Sequence, residues 1–215
     1  MEQPIVPWIM WFNQIGAEEL EYGHFLEAAQ LFELGLSLSH SPKSVAALPK
    51  AAAAQASPSS TVQNNETCAD QHFLFGSAFR ITAPGERRLE FSETDMCAQR
   101  AAAMLNLSIS LHRAGLEAGI QGWISGAKAT YQATLQFLRA VDQVHAIRIG
   151  ICAYQNLAVL HYMQFEFDDC FKCLQSLYLM VQLGMDESIL GETMLSQATM
   201  AMFFCAQPPT TAGCA

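Results

Sequence analysis

Residues 154–174 read YQNLAVLHYMQFEFDDCFKCL. Tyr154, Leu157 and Ala158 recur at helical spacing, and thirteen residues after Leu157 comes Cys170, then Leu174. Apolar residues three and four apart mark one face of a helix. Asp168 and Asp169 stand just before the second run, where negative charge favours a helix N-terminus. Ala158 and Cys170 are small, so two antiparallel helices can cross closely at that point, with Leu174 filling the gap beyond. The stretch reads as a helical hairpin.

The same spacing recurs on the N-terminal side. Phe12, Ile15 and Gly16 are followed by Ala28 and Phe32, and Ile15 to Ala28 is again thirteen. Gly23 breaks the pattern between the two runs, and Ser41-Pro42 ends the second. A middle hairpin has Met104, Leu107 and Ser108, then Ala127 and Tyr131. Its interval is seven longer, and Gly115, Gly119 and Gly122 fall in the excess. The middle helices are expected from a cap at Thr94 or Asp95 to about Arg113, and from about Ser125 to Ala140. The last hairpin is expected over about 144–164 and 168–183. Gly184 stops it, and a final helix starts at Asp186 or Ser188, runs to about Phe204 and covers the end of the array.

This arrangement resembles the tetratricopeptide repeat, whose motif is an aromatic, then Leu-Gly, then Ala and Phe on the second helix. The resemblance implies an all-α fold: an array of antiparallel helical hairpins, an α-solenoid, with an extended or disordered insert. Leu107 and Leu157 are 50 apart, and Ile15 and Leu107 are 92 apart, against a family period of about 34. The array is therefore interrupted. In such arrays the stacked first helices line a concave face that binds peptides. The residues expected there are Asn13, Ala17 and Leu20; Leu105, Ile109 and His112; Gln155, Val159 and Tyr162. Family members that bind chaperone C-termini clamp a carboxylate with Lys, Arg and Asn. The matching face here has no Lys, and only Arg113 is near it. The resemblance thus implies a non-catalytic protein-interaction scaffold for an apolar or helical peptide segment of another protein.

The domains follow: a first hairpin over 1–40, a linker over 41–71, an extended insert over 72–95, two hairpins and a capping helix over 96–205, and a tail over 206–215. The linker is rich in Ala, Ser and Pro and has no aromatic residue. It cannot bury enough apolar surface to offset its ordering entropy. In the insert, Phe73/Phe75 and Phe79/Ile81 each alternate with period two, which predicts an extended segment. Four large apolar residues in nine are expected to dock along the helices, as a brace or as a built-in competitor for an outside partner.

Composition limits the function. The chain has 215 residues, of which 51% are hydrophobic and 14% charged, with a net charge of −9. The acidic balance argues against nucleic-acid binding, which needs clustered Lys and Arg. No apolar run reaches the length of a membrane span. Two early prolines and an acidic start argue against a secretory signal. The expected compartment is the cytoplasm, with the nucleus open. Seven cysteines, an odd number, suit reduced thiols better than a disulfide framework.

The chemical candidates are few. Cys170 and Cys173 form a CxxC, read as a redox pair or half a metal site, or as packing. Cys170 also fills the small-residue slot, which favours packing. Asp168 and Asp169 are adjacent and point about 100° apart on a helix, so they do not converge. The glycines from Gly115 to Gly126 lack the phosphate-loop Gly-Lys-Ser/Thr. No metal and no cofactor is expected. Two other readings stay open: a homo-oligomeric structural module, and a helical enzyme using His112, His161 or the CxxC.

Overall fold

The helix that follows the insert is started by its own first residues. Ser92 Oγ accepts the Asp95 N–H at 3.1 Å, and Asp95 returns the bond by accepting the Ser92 N–H at 3.0 Å. This reciprocal cap satisfies two N–H groups that a helix N-terminus leaves open. It places the cap at Ser92 rather than at Thr94 or Asp95. Helix thus begins at Glu93, inside the last residues of the span 72–95 expected to be extended.

A computed structural model describes residues 8–39, 76–81 and 92–206. Their helices are α1 (Trp8–Glu21), α2 (Phe25–Ser39), α3 (Glu93–Ala118), α4 (Gln121–Phe137), α5 (Gln143–Met163), α6 (Phe167–Asp186) and α7 (Glu192–Ala206). A 3-10 turn, Leu138–Ala140, follows α4. No strand occurs among the described residues. The expected linker 41–71, Phe73, Phe75 and residues 207–215 lie outside the described residues.

The helices pack as neighbours in sequence: α1 on α2, α3 on α4, and α5 on α6. The first helices also touch in order, α1 to α3 and α3 to α5, and α7 packs on α5 and α6. The first and last hairpins are built alike. In each, the second helix begins after three connecting residues, 22–24 or 164–166, and the small residue Ala28 or Cys170 is its fourth. The seven extra residues of the middle hairpin are helical, lengthening α3 and α4 together. Seven residues are close to two turns. Adding about one turn to each arm lengthens the hairpin and keeps Ser108 and Ala127 in register.

Close approach requires the small residues. A Cβ on Gly16 would lie 2.7 Å from Cε1 of Phe32. Gly115 and Gly184, expected to end helices, lie inside them. A Cβ on Gly115 would meet Ile124 Cγ1 at 2.7 Å, and one on Gly184 would meet Leu190 Cγ at 2.7 Å. Each glycine lets the next segment fold back onto its helix, so α3 runs on to Ala118 and α6 to Asp186. The last helix accordingly begins later than expected, at Glu192. The central helices α3 and α5 are buried over most of their length.

The two three-residue turns also share a side-chain latch. His24 Nδ1 meets Glu19 Oε2 at 2.6 Å across the first turn. His161 Nδ1 meets Glu166 Oε2 at 2.6 Å across the last. Both pairs are five residues apart, and the histidine and the acid have exchanged places. The middle residue of each turn has a left-handed backbone: Gly23 at φ +84° and Phe165 at φ +60°.

Candidate functional site

Three buried amides on the first two hairpins hold a piece of main chain. Gln99 and Asn106 are seven apart on α3, hence on one face two turns apart, and Asn13 of α1 lies between them. Asn106 is fully buried. Its Oδ1 accepts the Phe79 N–H at 2.7 Å, and its Nδ2 donates to the Phe79 carbonyl at 3.0 Å. The same Nδ2 donates to Asn13 Oδ1 at 2.9 Å. Asn13 Nδ2 donates to Gln99 Oε1 at 3.3 Å, and Gln99 Nε2 donates to the Ile81 carbonyl at 3.4 Å. The relay thus starts and ends on the 76–81 segment. Buried amides need partners, and here the segment's own backbone supplies them.

The segment's side chains alternate. Phe79 is buried in the main core, Arg80 points out, and Ile81 is half-buried against the same core. Arg80 reaches Glu21 of α1 with two bonds, 3.2 and 2.9 Å, at the surface. The Arg148 guanidinium of α5 sits 5.8 Å from the Phe79 ring centroid. The expected docking of the insert on the helices is seen for Phe79. Phe79 and Ile81 are paired through carbonyls two residues apart, as in a strand, although the partner is a row of side chains.

Of the nine residues expected on a concave face, eight are buried: Asn13, Ala17, Leu20, Leu105, Ile109, His112, Gln155 and Val159. Tyr162 is half-buried. They line a closed seam in this structure. The first helices touch one another directly, the Phe79 segment packs into the same core as Leu20, Leu105 and Ile109, and Cys205 and Phe204 of α7 pack with Val159 and Tyr162. Only Asn13 among the nine belongs to the amide relay. Asn106 and Gln99 were not expected. The signal for Asn106 was an amide within the otherwise apolar run Met104-Leu105-Asn106-Leu107, which a buried helix tolerates only with a partner; Gln99, beside Arg100, carried no such signal.

The titratable core groups are held in neutral forms. His112 is buried against Tyr131, ring centroids 6.1 Å apart, and its Nε2 has no hydrogen-bond partner among the described residues. Burial, with the Arg113 charge adjacent, pushes it down to about 3. Burial pushes the Tyr131 hydroxyl up, only partly offset by the Asn156 amide that donates to it at 2.8 Å. Burial also pushes the Cys152 thiol up.

The CxxC is packed against α7. The Cys170 thiol shares a hydrogen bond with the Cys205 thiol, which holds Cys170 below and Cys205 above the ordinary thiol range. Burial pushes Cys173 up to about 11. His161, Glu166 and Asp169 bring ligand-type atoms within 4.8 Å of one another. Two ammonium groups already occupy that cluster: Lys128 bonds Glu166, and Lys172 bonds Asp169 at 2.7 Å. Its positive charges disfavour a cation. The bond from Lys128 and then that from His161 hold Glu166 below the usual carboxylate range.

No protein-family model, curated protein or solved structure matches the chain.

Proposed function

We propose that the chain is a non-catalytic interaction scaffold, a tetratricopeptide-like array of helical pairs that holds an apolar peptide segment in extended conformation. The observation that carries this reading is Asn106, whose one amide pairs with both the N–H and the C=O of Phe79. Main-chain groups are free for such pairing only outside a helix, because a helix uses them internally. The relay therefore favours an extended ligand over a helical one. Its contacts are to backbone, so they accept many sequences, and the pocket around the Phe79 ring adds a preference for an aromatic side chain.

Binding is favoured over catalysis by the state of the buried groups. A catalytic thiol or imidazole is tuned toward reactivity near neutral pH and reachable, whereas His112, Cys152 and Cys173 are tuned away from it, and Cys170, lowered by Cys205, is buried. A random-peptide display library panned against the full chain carrying Phe79→Ala, which empties the ring pocket, tests the reading, with the same chain also carrying Asn106→Leu as counter-selection. Apolar sequences that need Asn106 support it. A library with no Asn106-dependent binder refutes it, provided circular dichroism finds both variants helical. A second reading, a homo-oligomeric module, draws on exposed Trp8, Trp11, Phe171 and Phe203. Sedimentation at several concentrations separates the two.

A further inference from the structure

We propose that Gly76–Ile81 is a resident, displaceable ligand of the amide relay, and that the outside partner it excludes is an extended peptide carrying an aromatic residue, then Arg or Lys, then an aliphatic residue. This rests on the scaffold reading above and adds the partner's chemistry and a means of regulation.

Each position of the segment defines one requirement. The Phe79 ring is the sole large side chain of the six that is fully taken into the core. Residue 80 faces the Glu21 carboxylate at the surface, so a cation is favoured there and an acid opposed. Ile81 is half-buried, which suits an aliphatic group, and its carbonyl is the last one read, by Gln99. Among the described residues the attachments of 76–81 are the Phe79 ring with Arg148 beside it, half-buried Ala78 and Ile81, one exposed ion pair, and three hydrogen bonds between its backbone and side-chain amides. None is a helix or sheet ladder that ties the segment into the fold. A peptide with the same pattern makes every one of these contacts. The resident copy prevails because it is tethered, which gives it a high effective concentration at the site.

A fluorescein-labelled synthetic peptide with the sequence Gly-Ser-Ala-Phe-Arg-Ile tests this by anisotropy on the full chain. Phe79→Ala removes the resident anchor and leaves the relay in place, so it should bind the peptide at least about tenfold tighter than the unaltered protein does. Arg80→Glu loosens the segment by repulsion from Glu21 without touching the core, and covers the case in which Phe79→Ala does not fold. It should move affinity the same way by a smaller factor. Adding Asn106→Leu to either variant should abolish binding. A peptide with Glu in place of Arg should bind more weakly than the original. Equal Asn106-dependent affinity for the unaltered protein and both variants overturns displacement and leaves the scaffold reading standing. No binding to any folded variant overturns both.

Discussion

Replacing Gly16 with Ala tests the steric logic that relates the hairpins. The new methyl would lie 2.7, 2.9 and 3.1 Å from Cε1, Cζ and Cδ1 of Phe32. That ring has no exposure to solvent and no free side toward which to swing. Overpacking of this kind costs about 1–3 kcal/mol. Removing a glycine from the interior of α1 returns about 0.8–1.0 kcal/mol of helix propensity. The net expectation is a loss of about 1 kcal/mol, which for a chain of this size lowers Tm by about 2–4 °C. Gly126→Ala is the matched control. Its nearest neighbour outside α4 would be Leu111 Cδ1 at 3.8 Å, an ordinary contact. Only the propensity term acts, so its Tm should rise by a similar amount. Thermal unfolding at neutral pH, followed by circular dichroism, reads both variants. A Gly16→Ala protein as stable as the unaltered chain or more so would refute the close-crossing argument.

Phe165→Gly should raise stability by about 0.5–1 kcal/mol, because the left-handed backbone that costs an L residue about 1–2 kcal/mol is relieved, less the extra freedom of glycine in the unfolded chain. An unchanged or lower Tm contradicts this. His112 stays neutral in the fold down to about pH 3, whereas in the unfolded chain it takes up a proton below its ordinary value of 6.5. Its neutral burial is fully tolerated above pH 6.5 and opposes folding increasingly as pH falls toward 3. His112→Leu should therefore gain Tm relative to the unaltered protein between pH 7 and pH 5, and a constant difference would sink the argument. Cys170→Phe should lose about 1–3 kcal/mol by overpacking, while half-buried Cys173→Ser changes Tm little. Stoichiometric zinc in the purified protein would overturn the packing assignment for both.

The helices and their pairing were legible because their signal is local. A thirteen-residue interval from a large apolar residue to a small one, Ile15 to Ala28 and Leu157 to Cys170, repeats in two hairpins, and the third differs by about two helical turns. Helix ends were less legible where a glycine serves packing. Gly115 and Gly184 carry the composition of a stop signal, and only the positions of Ile124 and Leu190 reveal them as contact points. The Ser92 cap was overlooked although Ser92 and Asp95 stand three residues apart. The burial of the residues expected on a concave face has a different cause. Positions counted from a small-residue slot face the neighbouring first helix as much as any groove, and the buried alanines of α3, Ala98, Ala101, Ala102, Ala103 and Ala114, let it pack closely against its neighbours. Phe79 was legible as a docking residue because four large apolar residues in nine, Phe73, Phe75, Phe79 and Ile81, need cover. Its partner Asn106 was not, since a lone amide in a helix does not say across which gap it bonds.

The relay also explains why the site discriminates by conformation first and by sequence second. If the 76–81 segment leaves, Asn106 keeps its bond to Asn13, and Asn13 keeps its bond to Gln99. What is lost is the donor to Asn106 Oδ1 and the acceptor for Gln99 Nε2. A buried polar group without a partner costs about 1–3 kcal/mol, so an emptied groove must admit water or another backbone. Water satisfies both atoms but leaves the Phe79 pocket unfilled. A chain with its main-chain groups tied up in a helix fills the pocket but cannot reach the amides. An extended segment with an aromatic residue at the right place does both, which is why backbone pairing sets the kind of ligand and the ring pocket and Glu21 set which one.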